Sequence, residues 1–145
     1  MHKEASALTI DENGDKYWRN KKGKLHRIDG PAIDWKDGSQ EWYKNGKRHR
    51  IDGPAIEHRD GDKAWYKMGK LHRIDGPAVE YGNGNKFWYQ MGRQHRIDGP
   101  AVEWNSGRRE WYLGGVRFES KEVFFDALND EEKSIALFSE VFLNA

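Results

Sequence analysis

Cysteine is absent from this chain, proline occurs only four times, and no run of eighteen apolar residues exists. The lack of cysteine excludes disulfides and thiolate metal sites, and it is typical of proteins from a reducing compartment. The lack of a long apolar run predicts no transmembrane helix, and the N-terminus has no apolar core of a signal peptide. We therefore expect a soluble, cytoplasmic protein with no membrane partner.

Leucine is also rare before residue 113, whereas aromatic residues and glycine are abundant. This composition favours strands joined by tight turns. Charge is divided unevenly: residues 1–118 carry 23 basic and 17 acidic side chains, and residues 119–145 carry 2 basic and 7 acidic ones. We therefore predict a repeat region over residues 1–118, with a net charge of +6, and a separate C-terminal segment over residues 119–145, with a net charge of −5.

All four prolines lie in a seven-residue string, His-Arg-Ile-Asp-Gly-Pro-Ala, that occurs four times. Its copies begin at His26, His49, His72 and His95, so the period is 23 residues without drift. A fixed period of this size is the signature of a repeat array, in which each unit packs mainly on its neighbours. We call this string the repeat motif.

Each repeat also carries a turn signal at an equivalent position. These signals are Asn13-Gly14, Asp37-Gly38, Asp60-Gly61, Asn83-Gly84 and Ser106-Gly107. Asn-Gly and Asp-Gly are typical of two-residue type I′ turns, so we predict five antiparallel hairpins. Such a turn would pair Ile33 with Trp42 and Ala32 with Tyr43. The equivalent predicted pairs are Ile56–Trp65, Val79–Trp88, Val102–Trp111, Ala55–Tyr66, Ala78–Tyr89 and Ala101–Tyr112.

The tryptophans would then share one face of the sheet, because side chains alternate along a strand. We predict that this face is buried and that the motif isoleucines pack into it, namely Ile28, Ile51, Ile74 and Ile97. Asp-Gly-Pro should bend the strand, since proline cannot donate to a ladder and glycine tolerates unusual φ. The predicted fold class is an all-β repeat array of about five antiparallel β-hairpins in an elongated twisted sheet, with a short C-terminal helical cap.

The C-terminal segment has helix signals. Ser120 is a candidate cap of a short helix that ends at about Leu128. Asn129 with Glu132 forms a capping-box pattern before a second helix that we expect to run to about Leu143. Arrays need a terminal element that covers their last repeat, so this segment is predicted to be such a cap. The alternative is a docking helix for a partner.

The histidines and aspartates of the motif are better explained by structure than by chemistry. Successive copies lie two strands apart, roughly 10 Å, whereas metal ligands lie within about 2.0–2.2 Å of the ion. We expect each histidine to bond the aspartate three residues on or a neighbouring backbone group, and each aspartate to stabilise the Gly-Pro bend. The aspartates are Asp29, Asp52, Asp75 and Asp98. No nucleophile recurs, so we expect no enzyme, no metal and no cofactor.

Two other sets of side chains are candidates for binding a partner. The motif arginines could form a solvated edge among the aspartates, a stripe for nucleic acid, or anchors for a protein. The position of Trp35 varies between repeats, as His58, Tyr81 and Trp104, which suggests either edge packing or a graded contact surface. The candidate partner-binding residues are Arg27, Arg50, Arg73, Arg96, Trp35, Tyr81 and Trp104.

The run Trp42-Tyr43-Lys44-Asn45-Gly46-Lys47-Arg48-His49, followed by Gly61, resembles a MORN repeat. The resemblance covers about residues 7–118, although Arg50 stands where those repeats usually have glycine. It implies an elongated β-sheet that scaffolds or binds proteins, sometimes lipid, without catalysis. The full motif together with Trp-Tyr is similar to MORN-like arrays in proteins of bacteriophages and large DNA viruses.

The expected function is a binding module for another protein. The viral resemblance implies an accessory protein that binds and inhibits a protein of the host, such as a defence component, in the host cytoplasm. The alternatives are binding or mimicry of nucleic acid, and a structural scaffold. The first hairpin has no evident cover, so its edge strand would allow pairing into a homodimer.

Overall fold

The computed structural model describes residues 5–145, so the first four residues of the predicted repeat region lie outside the described part. Eleven strands belong to antiparallel sheet, and three short strand pairs form separate ribbons. Three helices follow the strands at the C-terminus. The predicted combination of β-hairpins with a short helical region is therefore confirmed.

The chain divides into two compact units, residues 1–70 and 71–145. The first ten strands are β1 (Ala7–Ile10), β2 (Lys16–Arg19), β3 (Ile33–Asp34), β4 (Gln40–Glu41), β5 (Tyr43–Lys44), β6 (Lys47–Arg48), β7 (Ile56–Glu57), β8 (Lys63–Ala64), β9 (Tyr66–Lys67) and β10 (Lys70–Leu71). The remaining strands are β11 (Val79–Glu80), β12 (Lys86–Phe87), β13 (Tyr89–Gln90), β14 (Arg93–Gln94), β15 (Val102–Glu103), β16 (Arg109–Leu113) and β17 (Val116–Phe118).

Within the first unit the sheet strands follow the order β1-β2-β3-β4-β7-β8, and within the second unit the order is β11-β12-β15-β16-β17. Each of the five predicted turn signals connects two neighbouring antiparallel strands, so the five hairpins are confirmed. The ribbons are β5–β6, β9–β10 and β13–β14, and each begins at the tyrosine of a Trp-Tyr pair.

The predicted register is wrong by one residue. Ile33 pairs with Glu41 and not with Trp42, and the later repeats show the same shift, as Ile56↔Ala64, Val79↔Phe87 and Val102↔Glu110. In a type I′ turn both central residues need positive φ, but at Asp37-Gly38 the positive φ belongs to the glycine. The N–H of Trp35 donates to Ser39 and the N–H of Gly38 donates to Trp35, which makes a longer loop.

The two-residue turns lie instead in the ribbons. Tyr43 pairs with Arg48 and Lys44 with Lys47, which leaves Asn45-Gly46 as the turn. Both turn residues have positive φ, 50° and 81°. The equivalent turns Met68-Gly69 and Met91-Gly92 have the same conformation. A methionine in this region is unusual, because its Cβ crowds the backbone.

The predicted burial of the motif isoleucines is wrong for the first three copies. Ile28, Ile51 and Ile74 are 60%, 92% and 80% exposed. The motif arginine takes the place expected for the isoleucine, since the guanidinium carbon of Arg50 lies 3.8 Å from the centre of the Trp42 ring. The motif alanines are fully buried instead: Ala32, Ala55, Ala78 and Ala101.

The three helices are α1 (Lys121–Ala127), α2 (Asp130–Leu137) and α3 (Glu140–Leu143). Ser120 caps α1, and Asn129 and Glu132 form the predicted capping box of α2. The single second helix that we predicted is split, because Ser139 interrupts it. The Ser139 hydroxyl accepts the N–H of Phe142 as the cap of α3 and donates to the carbonyl of Asp98.

The helices build an apolar cluster on the last hairpin. Its buried members are Trp111, Phe124, Leu128, Ala136 and Phe142, and Ile97 and Phe118 pack against it. The Trp111 and Phe124 rings lie 4.9 Å apart between centres. The C-terminal segment therefore covers strands β16 and β17. Within residues 5–145, no helix is long and apolar enough to cross a bilayer.

Candidate protein-interaction surface

Each motif histidine holds a turn 19 residues further along the chain: the first three hold the ribbon turns, and the last holds the turn between β16 and β17. The Nδ1 atom of His49 accepts the backbone N–H of Met68 at 3.0 Å. The same bond joins His26 to Asn45, His72 to Met91 and His95 to Gly114. Of the two partners that we expected for the histidine, the structure thus shows the backbone group. Burial, with Lys44 and Lys67 nearby, lowers the pKa of His49 below its usual value.

Two backbone bonds flank each of these histidine bonds. Around His49, the N–H of Gly69 donates to Arg48 at 2.8 Å, and the N–H of Arg50 donates to Tyr66 at 3.3 Å. The three bonds together hold the residues before, at and after the histidine against the next Trp-Tyr segment. The start of the motif is therefore held by hydrogen bonds, although its residues are not part of a strand.

The motif arginine holds the Asp-Gly-Pro bend from inside. The Nε atom of Arg50 donates to Asp52 at 3.0 Å, and its Nη1 atom donates to the carbonyl of Pro54 at 3.0 Å and to Glu57 at 3.1 Å. The hydrogen bond from Arg50 lowers the pKa of Asp52. The pairs Arg27–Asp29, Arg73–Asp75 and Arg96–Asp98 repeat the contact.

The motif glycine is explained by this arginine and not, as we expected, by unusual φ. Gly53 has no positive φ, but a Cβ atom placed on it would lie 3.0 Å from the guanidinium carbon of Arg50. At Gly99 the same distance to Arg96 is 2.7 Å. Real Cβ atoms essentially never come closer than 3.0 Å, so glycine leaves the space in which the arginine packs.

These contacts place the four candidate arginines mostly inside the repeat. Their side chains are between 10% and 24% exposed, and their donors face aspartate, the proline carbonyl or glutamate. Arg27 and Arg96 also lie over Trp18 and Trp88, at 4.0 and 3.9 Å from the ring centres. That they bind a partner stays a prediction.

The variable turn-adjacent aromatics pack edge-on against the hairpins. Trp35 meets Tyr17 at 5.9 Å between ring centres, and both Tyr81 and Trp104 meet Phe87, at 5.6 and 5.1 Å. Tyr81 and Trp104 remain 42% and 36% exposed. Each of these two rings therefore packs on Phe87 and remains partly exposed.

A groove on the first unit, which we call the motif groove, lies between the first two copies of the motif. It encloses about 930 Å³ and is lined by residues that include Ile28, Trp42, Lys44, Arg50 and Ile51. Sequence reasoning missed it, because it placed the isoleucines inside. The available signal was that arginine and isoleucine are adjacent, so only one of them can cover the neighbouring tryptophan.

One group of possible metal ligands also occurs among residues 5–145. His58, Asp60 and Asp62 have ligand atoms within 4.8 Å of one another at an exposed turn. The group arises because His58 stands at the variable position beside the turn. Exposed acidic groups of this kind are common without a metal, and nothing else at the turn points to an ion.

The first strand lies at an end of the sheet order. Strand β1 pairs with β2 on one side, and its four residues are exposed, including Leu8 and Ile10. Such an edge is a template for pairing with another chain. The homodimer through this strand stays a prediction.

No protein-family model matches the chain, and a search of curated proteins finds no match either. The argument for function therefore depends on the contacts and exposures described above.

Proposed function

We propose that the chain is a non-enzymatic module that binds another protein. The observation that carries the proposal is the exposure of large apolar side chains on a fixed backbone. Ile28 and Ile51 are 60% and 92% exposed and line the same groove, although hydrogen bonds to the next Trp-Tyr segment hold their motifs in place. Exposed apolar side chains that cluster on a soluble protein are typical of interaction sites.

A protein partner agrees better with the charges than nucleic acid does. Nucleic-acid binding needs lysine and arginine free to neutralise phosphates. The motif arginines form ion pairs within their own repeats, for example Arg50 with Asp52 and with Glu57. Their positive charge is thereby largely balanced. Nucleic-acid binding and a passive scaffold are the alternatives that the experiment below must separate from protein binding.

The resemblance to bacteriophage and viral arrays extends the proposal. On this view the chain is an accessory protein that occupies a surface of a host protein, such as a defence component, in the host cytoplasm. Occupation would be steric, because a rigid surface loses little conformational freedom on binding. This extension has fold-level likeness as its support.

The test is affinity capture from a lysate of the native host on the immobilised full-length chain. We expect a host protein to be retained, and Tyr81→Ala, Trp104→Ala and Ile51→Glu variants to show which surface holds it. Nuclease treatment and a salt series accompany each capture. If nuclease treatment abolishes the retention, nucleic acid is the partner instead. The same holds if the chain retains nucleic acid without a host protein and this retention falls steeply with salt. If no host protein is retained, the proposal is wrong.

A further inference from the structure

The last repeat of the array shows what can fill the groove that the first unit leaves open. Ile97 and Trp111 are the positions equivalent to Ile28 and Trp42, three repeats later in the sequence. Ile97 packs against the C-terminal cluster, and Trp111 is only 8% exposed. The chain's own helices therefore cover Ile97, whereas the equivalent Ile28 is 60% exposed and the equivalent Trp42 is half-buried under Arg50.

The contact on the last repeat has a polar and an apolar part. The hydroxyl of Ser139 donates to the carbonyl of Asp98 at 3.0 Å, and Asp98 is the motif aspartate of that repeat. Three residues later, the ring of Phe142 meets the ring of Trp111 edge to face, 5.8 Å between centres. A Ser-x-x-Phe segment at the start of a short helix thus engages both the motif backbone and the tryptophan.

The motif is less exposed in the last repeat, where the helices cover it, than in the first unit. The side chain of Asp98 is 46% exposed, whereas those of Asp29 and Asp52 are 82% and 84% exposed. Pro100 is almost fully buried, in contrast to the half-buried Pro31 and Pro54. The first unit therefore presents the same motif without the cover.

Charge favours an acidic occupant. The covering segment, residues 119–145, has a net charge of −5, and the repeat region has a net charge of +6. Lys44 lines the motif groove, together with Arg27 and Arg50, whose charges are paired with the two aspartates of the lining, Asp29 and Asp52. An acidic segment can keep its carboxylates near these cations while its apolar side enters the groove.

We propose that the motif groove of the first unit binds a short acidic helical segment of another protein, with a Ser-x-x-Phe sequence like Ser139–Phe142 of this chain. The phenylalanine packs between Ile28 and Ile51 and against the part of Trp42 that Arg50 leaves uncovered, and the serine hydroxyl donates to the motif backbone. This inference rests on the protein-binding function proposed above, and it assigns the partner's chemistry and the binding place.

The probe is a fluorescein-labelled peptide with the sequence of residues 129–145, added to the full-length protein. We expect saturable binding, with NMR shifts of the Ile28 and Ile51 methyl groups and of the Trp42 indole. Ile51→Glu should weaken binding by about tenfold or more, since it replaces an apolar contact with a charge. A peptide with serine at the position of Phe142 should not bind.

The matched control is Ile10→Glu, the same substitution at an exposed isoleucine on strand β1. It should leave peptide binding unchanged. Both isoleucines are exposed, so neither variant should alter folding, and circular dichroism checks this. Equal weakening by the two variants would show that the peptide binds through general apolar contact, and the proposal would be wrong.

Three other outcomes overturn the proposal. The first is that no binding is seen at millimolar peptide. The second is that the NMR shifts are confined to Ile97 and Trp111, which would mean that the peptide replaces the chain's own helices on the last repeat. Alternatively, sedimentation shows a dimer that Ile51→Glu dissociates, which would assign the groove to a second copy. The protein-binding function stands or falls separately. Suppose that the Ile51→Glu variant still captures a host protein, whereas Tyr81→Ala or Trp104→Ala does not. The chain would then bind a protein, as proposed, but not through the motif groove.

Discussion

The Nδ1 atom of His49 lies 3.0 Å from the backbone nitrogen of Met68 and accepts its N–H, 19 residues further along the chain. Met68 has a φ of 48°, in a region that residues with a Cβ rarely adopt. The histidine of one repeat thus stabilises the strained turn of the next. Because Nδ1 is the acceptor, the bond requires a neutral imidazole at that atom.

This bond predicts that acid weakens the fold. The pKa of His49 is lowered from its ordinary value of 6.5, so the unfolded chain binds a proton more readily than the folded one. The stabilisation is fully present above pH 6.5 and is lost as the pH falls through the lower folded-state pKa. We expect the melting temperature to fall as the pH drops below 6.5, measured by circular dichroism in constant salt.

His58 provides the control for the acid prediction. It stands at an exposed turn and is not one of the motif histidines. His49→Gln should lower the melting temperature at pH 8 and flatten its dependence on pH, whereas His58→Gln should change neither. An NMR titration midpoint of His49 above 6.5 would contradict the assigned direction of the pKa.

Met68→Asn should stabilise the protein. The left-handed conformation is unfavourable by roughly 1–2 kcal/mol for most residues, and asparagine tolerates it best among those with a side chain. Asn45 already occupies the equivalent turn of the first repeat with a φ of 50°. We expect a gain in the free energy of unfolding of up to about 1 kcal/mol in urea denaturation. Met68→Leu is the control and should give no gain, since leucine keeps the Cβ without the local hydrogen bonding of asparagine.

Periodicity was enough to predict the hairpins, their number and the helical end, because turn residues and caps act locally. The capping box of Asn129 and Glu132 is an example, since both bonds form within four residues. The register failed because Asp37-Gly38 is compatible with two loop lengths, and the difference lies in the φ of Asp37. The exposure of Ile51 could not be foreseen, because it depends on whether Arg50 or Ile51 covers Trp42 in the folded packing.

Gly53→Ala should destabilise the protein through Arg50. The new methyl group would lie 3.0 Å from the guanidinium carbon, so Arg50 would have to shift by a few tenths of an ångström from its place between the Trp42 ring and the carbonyl of Pro54. The weakened hydrogen bond and cation–π contact should cost up to about 2 kcal/mol.

A double-mutant cycle tests this cause. Once Arg50→Ala has removed the side chain, Gly53→Ala should add little, so the two effects should be strongly non-additive in chemical denaturation. Additive effects would mean that the glycine is needed for its backbone conformation, as the sequence first suggested. Asp52→Ala should lower the melting temperature much less than Arg50→Ala, because its carboxylate is largely exposed.

Phe124→Ala should show that the C-terminal helices are part of the fold. Phe124 is fully buried and meets the rings of Trp111, Phe118 and Phe142. Truncation of a buried phenylalanine lowers the free energy of unfolding by about 3–5 kcal/mol. Phe138→Ala is the matched control, because Phe138 is 90% exposed on the same segment, and it should leave stability unchanged.

Deletion of residues 119–145 extends the test to the whole cover. Removal would expose Trp111 and the groove of the last repeat, so we expect the truncated chain to aggregate, as light scattering during expression and refolding would show. If the truncated chain is instead monomeric and melts near the full-length temperature, the helices are not needed as a cap. Their hold on Trp111 would then be the reversible docking of a segment that is free to bind elsewhere, and Phe124→Ala should in that case alter partner binding more than stability.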